Sequence, residues 1–278
     1  MRVIERTYVK SLLPRRAKAA HKGDFGRVLV VAGSPSMAGA PVLSARGAFR
    51  AGAGLVYVSA PYLLWPILQL RVPEVILSSR ELDSLDLSLY DAVVAGPGLG
   101  ADEETAALTE ELLRRFTGPV VLDADALNVI AKGMASCAGS EAQMILTPHA
   151  AEAGRLLGIP AAEVDADREA AARALAEKYG AVAVLKGHET LVAQPGGAVC
   201  LNPTGNPGMA VAGSGDVLAG VIAAFAAQGM HAADAARAGV YLHGLAGDLA
   251  AEETGEYGLM ALDIAEAVGR GILALTGR

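Results

Sequence analysis

What most restricts this chain is a repeated alternation. Apolar, β-rich runs that end in glycine or a polar tip are separated by segments of helical character. The runs are RVLVVAG (27–33), LVYVSAP (55–61), EVILSS (74–79), YDAVVAG (90–96), PVVL (119–122), QMIL (143–146) and AVAVLK (181–186). Runs that are apolar at successive positions suit strands buried on both faces. Helices are predicted over 42–54, 102–116, 150–158 and 167–180. The second of these has acidic residues in its first turn and arginines in its last, as the macrodipole favours. Residues 189–202 read as a hairpin around Pro195, Gly196 and Gly197. The last third (216–229, 232–253 and 261–275) is helical and rich in alanine and glycine, which allows close packing. The alternation predicts an α/β fold, with a central, mostly parallel sheet and helices on both faces.

The 278 residues, 53% of them hydrophobic, are ample for a sizeable core. With no internal repeat, low-complexity tract or linker, one domain over residues 1–278 is expected. Residues 1–22 read as a basic, irregular arm carrying Arg15, Arg16, Lys18, His21 and Lys22: a solvated tail, a lid or an oligomer contact. The N-terminus lacks the apolar centre of a signal peptide. The longest apolar run, 217–227, is shorter than the roughly 20 residues that span a bilayer. A soluble, cytoplasmic protein with no membrane partner is expected. A net charge of −7 and 4% aromatic residues leave neither the basic footprint nor the stacking platforms of a nucleic-acid binder. Cys137 and Cys200 read as small buried hydrophobes, and nothing demands a disulfide between them.

Ligands of open α/β sheets bind beyond the carboxyl ends of the strands. Here those ends carry AGSPSMAGA, AGPGLG, DADALN, TPH and LKGHET. The turn over 33–40 admits either a ligand close to the backbone or tight strand–helix packing. Gly96, Gly98 and Gly100 form GPGLG, which is not the dinucleotide fingerprint. Asp123 and Asp125 either hold Mg²⁺ through water or cap the next helix, and Asn128 shares that ambiguity. His149 falls on the rim between a strand and a helix, where a ligand-binding role is expected, with Glu152 on the same turn to orient it. Lys186 ends a buried strand, a costly place for a cation unless it meets an anion or snorkels to water. A nucleotide phosphate is the natural partner, and Thr190 is placed to bond the same nucleotide.

The most informative element spans 202–229, NPTGNPGMAVAGSGDVLAGVIAAFAAQG. A glycine-rich loop runs straight into an apolar helix. Gly213, Ser214 and Gly215 leave main-chain N–H groups free to cradle a phosphate, and the helix terminus adds partial positive charge. Asp216 sits at this anion hole, as a catalytic group, a helix cap or both. No Walker A sequence occurs.

AGSGD with its following helix resembles the GxGD anion hole of ribokinase-like enzymes. The fuller set, HKGDFGRVLVVAGS, GAPVLSARGAFRAGAGLV, AGPGLG, VLDADALN, ILTPHAAEAGRLLG, VLKGHETLVA and NPTGNPGMAVAGSGDVLAG, is similar to the ADP- or ATP-dependent NAD(P)H-hydrate dehydratases. The resemblance runs from about His21 to the final helix. It implies a ribokinase-like fold and a cofactor-repair lyase that dehydrates hydrated NADH or NADPH with ADP or ATP and Mg²⁺. It further implies a homotetramer without the N-terminal epimerase domain that some members carry. By position, Ala40, Gly98, Gly100 and His149 would line the hydrate site. Lys186, Gly187, His188, Glu189, Thr190, Gly213, Ser214 and Gly215 would contact the nucleotide, and Asp216 would act as general base on the hydrate hydroxyl. Ser214 departs from the commoner threonine but keeps the hydroxyl. A vitamin-precursor or sugar kinase of the same fold shares GxGD but is not expected to carry TPH and NPTGNPGM. A non-catalytic nucleotide sensor is expected to lose the aspartate or the glycine loop.

Overall fold

Alternate residues of a single strand enter two different cores: Val28 and Val30 join one, Leu29 and Val31 the other. The same division splits Ala92 and Val94 from Val93 and Ala95. That is how a run apolar at every position is satisfied, with helices on both faces of the sheet. The computed structural model describes residues 1–81 and 85–277.

The strands are β1 (Arg2–Val3), β2 (Arg27–Val31), β3 (Leu55–Ser59), β4 (Ile76–Ser78), β5 (Ala92–Ala95), β6 (Pro119–Leu122), β7 (Gln143–Leu146), β8 (Val182–Leu185), β9 (Leu191–Ala193) and β10 (Cys200–Leu201). They form one sheet in the order β1-β10-β9-β8-β7-β6-β5-β2-β3-β4. All pairings from β4 to β8 are parallel. The predicted hairpin supplies the antiparallel pairs β8–β9 and β9–β10. Strand order reverses between β2 and β5, so the connections leave in opposite directions and open a crevice between the two strand ends.

One face carries α1 (Arg6–Leu12), α2 (Gly39–Arg50), α3 (Trp65–Arg71), α9 (Ser214–Ala227), α10 (Ala232–Gly258) and α11 (Ala261–Thr276). The other carries α4 (Glu103–Arg115), α5 (Asp125–Ala131), α6 (Ala150–Leu157), α7 (Ala161–Ala166) and α8 (Arg168–Tyr179). The short helices α3, α5 and α7 were not expected, because seven or fewer residues show too little periodicity. Helix α10 is interrupted at Gly255 (φ 70°, ψ 159°). Both cysteines are free thiols, and no described helix is long and apolar enough to cross a membrane.

The expectation of an irregular N-terminal arm is corrected for its first half. Ile4 and Val9 are buried, β1 pairs in parallel with β10, and Tyr8 Oη donates to Asp234 Oδ1 at 2.5 Å. Arg237 bonds the same carboxylate oxygen at 3.0 Å. These apolar positions are spaced among basic residues, so the charge pattern masks the helix.

Helices α2 and α9 approach at backbone distance because glycines meet carbonyls. A Cβ at Gly220 would overlap the Ser44 carbonyl oxygen, and one at Gly47 would overlap that of Val217. This contact holds the middle of α2 against the first half of α9. Gly220→Ala therefore forces the helices apart at a cost of about 3 kcal/mol. Thermal unfolding is expected to show Tm lowered by roughly 5–10 °C.

Candidate active site

The glycine-rich and polar tips all fall on the rim at the carboxyl ends of β2, β5, β6, β7 and β8. At the crevice between β2 and β5, Gly33 N–H donates to Pro97 O at 2.9 Å. A Cβ on Gly98 would lie 2.9 Å from Met37 Cβ and 3.0 Å from Ala40 Cβ, so Gly98 and Ala40 are brought against each other. One turn beyond Ala40, Leu43 packs against Gly213. The two ends of the anticipated hydrate site, the start of α2 and the GSGD turn, are thereby neighbours.

Gly96 has φ +123°, and a Cβ there would collide with the Asp123 carbonyl oxygen. The DAD tip it accommodates is strained. Ala124 lies at φ 49° and ψ −112°, a region that costs a non-glycine residue about 1–3 kcal/mol. The strain divides the two aspartates. Asp125 turns to the GPGLG loop, where its Oδ2 accepts from Gly100 N–H at 2.8 Å and its Oδ1 from Asn128 Nδ2 at 3.2 Å. Asn128 in turn accepts from Arg155 at 2.9 Å. Asp123 turns inward, where its Oδ1 accepts from Thr147 Oγ1 at 2.8 Å and from Lys186 Nζ at 2.6 Å. Neither aspartate caps α5, whose N-cap is Ala124 with no side-chain cap bond.

Lys186 does not snorkel. Its side chain is 18% exposed, against 2% for Asp123, and Nζ also lies 3.9 Å from Glu152 Oε2. The partner anion expected to be a phosphate is, first of all, a protein carboxylate. Burial alone would depress the ammonium. The charges of Asp123, Glu152 and Asp216 overcome it and hold the lysine above its ordinary value. A Cβ on Gly215 would lie 3.1 Å from Nζ and 3.6 Å from Asp123 Oδ2, so glycine at 215 lets the lysine sit close against the GSGD turn.

His149 is the N-cap of α6. Its Nδ1 accepts from the N–H groups of Ala151 (3.1 Å) and Glu152 (3.4 Å), while its main-chain N–H donates to Glu152 Oε2 at 2.9 Å. In the neutral ring this bonding leaves the proton on Nε2, 3.4 Å from Glu152 Oε1. Glu152 thus orients His149, as expected from their spacing, and joins it to Lys186. The side chain remains 52% exposed at the rim.

In the KGHET segment, Thr190 Oγ1 turns back onto Gly187 O at 3.1 Å. Glu189 has φ 54°. The turn is held from outside by Arg168, whose guanidinium bonds Leu185 O at 3.1 Å and His188 O. Sequence reasoning missed Arg168, because an arginine at the start of an amphipathic helix gives no sign of the loop it will meet.

Helix α9 begins without a side-chain cap. Its N-cap is Gly213 (φ +89°), and Asp216 is its third residue. Ser214 N–H turns back to Val211 O at 3.3 Å, while the N–H groups of Gly215 and Asp216 have no intrahelical acceptor and are available to an anion. The helix terminus favours an ionised Asp216, but burial and the charges of Asp123 and Asp125, only partly offset by Lys186, push its pKa up to about 7. A carboxylate that titrates at about 7 is better matched to general-base work than an ordinary one.

Among the described residues no group of three His, Cys, Asp or Glu side chains is arranged to hold a metal ion. The residues fit Mg²⁺ arriving with a nucleotide, whose phosphates and waters supply most of its ligands. The nearest protein carboxylates are Asp216 and Asp123, whose Oδ2 faces Gly215.

A family model described as NAD(P)H-hydrate dehydratase matches residues 28–270. The bifunctional NAD(P)H-hydrate repair enzyme Nnr of Moorella thermoacetica is 44% identical over 276 residues, 95% of this chain and 52% of that protein. The chain spans about half the length of such bifunctional relatives. The ADP-dependent (S)-NAD(P)H-hydrate dehydratase of Neisseria meningitidis serogroup B is also 44% identical, over 91% of this chain and 86% of that one. Among solved structures, the ADP/ATP-dependent NAD(P)H-hydrate dehydratase of Bacillus subtilis co-crystallized with ATP/Mg²⁺ superposes with TM-score 0.91 at 32% identity, over 99% and 98% of the two chains. Ribokinase of Thermotoga maritima shares the fold at TM-score 0.53 and 14% identity, over 88% of this chain and 100% of that one.

The Lys186 cluster has a thermodynamic signature. Lys186→Met leaves Asp123 charged and unpaired in the interior, and is expected to cost about 3–5 kcal/mol of unfolding free energy in urea titrations. Adding Asp123→Asn to that variant removes the stranded charge and should recover most of the loss.

Proposed function

Because the chain belongs to the NAD(P)H-hydrate dehydratase family, we propose that it returns hydrated NADH or NADPH to the intact cofactor, spending a nucleotide phosphate on the ring hydroxyl. The observation that carries this reading is the uncapped start of α9, with Asp216 in its first turn and the Ala40–Gly98 contact nearby. The reaction needs a phosphate-binding turn and a base together, and the closeness of that turn to Asp216 supports this reading.

The hydrate ring lies between the start of α2, GPGLG and His149. Its hydroxyl gives its proton to Asp216 as the oxygen attacks the terminal phosphorus of ATP or ADP. The bond from that phosphorus to its bridging oxygen breaks, and the shortened nucleotide leaves. The first-turn N–H groups of α9 receive the charge that gathers on the transferred group. Lys186, held beside Gly215, adds a fixed cation, and residues 186–190 hold the nucleotide. Mg²⁺ bound with the nucleotide neutralises phosphate charge. The ring nitrogen then expels phosphate from the carbon that held the hydroxyl, and the neighbouring carbon loses a proton to restore the double bond. Hydroxide is a poor leaving group and phosphate a good one, which is why a nucleotide is consumed.

A second part of the reading concerns assembly. The family resemblance points to a homotetramer, and exposed apolar side chains support an interface at the edge of the sheet: Tyr62 is 79% exposed and Leu70 83%. Light scattering at micromolar concentration should give about four times the 28.3 kDa chain mass, and a monomer would remove this part. The compartment proposed is the cytoplasm.

The decisive experiment is recovery of NADH absorbance from hydrated NADH, with ADP and ATP compared. Asp216→Asn should fold normally and lose turnover roughly 10²–10⁴-fold. The pH dependence follows from the raised pKa. In the parent, kcat/KM should fall as pH drops through about 7, because the base becomes protonated. The effect on stability has the opposite sense. The folded state retains a proton that the unfolded chain releases at about pH 3.8, so the stability tied to Asp216 is present at low pH and lost as pH rises through about 7. The asparagine variant should therefore gain in Tm relative to the parent between pH 5 and pH 8. Near-parental turnover in this variant would reduce Asp216 to a structural residue.

A further inference from the structure

Ser214, the first residue of α9, is buried, and behind it lies a histidine that the chemistry above does not use. His243 is buried on α10 with Nε2 3.4 Å from Ser214 Oγ. We infer that His243 is a positioning residue of the phosphate-receiving turn, holding Ser214 and so the first turn of α9 against Lys186 and Asp216. This rests on the nucleotide phosphate being bound at that turn, as proposed above.

A neutral imidazole has one N–H and one lone pair. It can therefore engage both the hydroxyl and the main-chain carbonyl of Ser214, which an apolar side chain of the same size cannot. Burial pushes the ring's pKa down to about 4, against a bond to the Ser214 main chain that favours the proton, and the nearby Lys186 charge adds to the depression. The ring thus stays neutral throughout the working range and keeps both bonding modes. Without it the buried Ser214 hydroxyl would lose its partner, at the cost of desolvating it unpaired.

The same stretch of α10 holds the loop that precedes the turn. Asn202 Nδ2 donates to Val240 O at 3.1 Å, and Thr204 Oγ1 donates to Tyr241 O at 2.8 Å. The Asp248 carboxylate accepts from Gly205 N–H and Asn206 Nδ2, both at 3.0 Å. A Cβ at Gly244 would overlap Thr204. One face of one helix therefore fixes the NPTGNPGM loop and the GSGD turn relative to each other, and His243 is the member of that face that reaches the anion-facing turn.

The test is a mutant cycle of His243→Leu, His243→Gln, Ser214→Ala and the Leu/Ala double variant. Each is read by calorimetric Kd for ATP with Mg²⁺ and by kcat and KM on hydrated NADH. Loss of the bond should weaken ATP binding and lower kcat about tenfold each, with KM for the hydrate unchanged. The glutamine variant, which can both donate and accept, should recover most of both, and the double variant should be no worse than the poorer single. Losses that multiply in the double variant, glutamine no better than leucine, or a folded leucine variant within twofold of the parent would each overturn the inference. Should His243→Leu fail to fold, His243→Asn takes its place in the cycle. The ATP titration needs no turnover, so it still decides on His243 if the parent does not convert the hydrate, which is the result that would sink the proposed function.

Discussion

The ammonium of Lys186 touches Asp123 and lies within reach of Glu152, and its charge acts on Asp216 as well. Lys186 and Asp123 directly follow β8 and β6, and Glu152 and Asp216 lie in the first turns of α6 and α9, so a single cation links two strand ends to two helix starts. Desolvating such a cluster is unfavourable unless the charges compensate one another. Here the carboxylates outnumber the lysine, and burial together with that excess negative charge raises the pKa of Asp216 to about 7.

Around this centre the fold spends conformational strain and side-chain volume. Ala124 accepts an unfavourable backbone so that Asp123 faces the lysine while Asp125 faces the GPGLG loop. Glycine at 47, 215 and 220 removes side chains where a carbonyl or an ammonium must pass. Leaving α9 uncapped serves the same end. A serine or aspartate at the N-cap would satisfy one of the first-turn N–H groups and compete with a phosphate for it. Glycine at 213 leaves the N–H groups of Gly215 and Asp216 without a side-chain cap, and Asp216 puts a carboxyl group of raised pKa in that first turn.

The supports of the site lie one layer out. Arg168 fixes the KGHET turn, the Asp125–Asn128–Arg155 chain fixes GPGLG, and the α10 face from Val240 to Asp248 fixes the loop before the anion hole. Each joins residues far apart in sequence, and each uses a residue whose type is unremarkable on an exposed helix. Sequence patterning has no access to such partners, because their roles come from what the tertiary fold sets opposite them.

By itself the sequence determined the parallel sheet, since runs apolar at every position can be satisfied only between two helical layers. It also determined the rim, since glycine and polar tips closing those runs must gather at the strand ends. The start of α9 was legible because GSGD runs straight into an apolar helix, and glycine at 213 supplies its left-handed N-cap. Only the tertiary structure decided that Lys186 meets Asp123 before it meets any phosphate, that the two aspartates of DAD part company, and that Asp216 titrates near neutrality. It also decided that the first residues of the chain form a strand and a helix instead of a loose arm. The physical reason is common to all of these. Burial, pairing and pKa depend on which charges the fold brings within a few ångströms across gaps of tens to hundreds of residues, and local sequence fixes only the backbone that carries them.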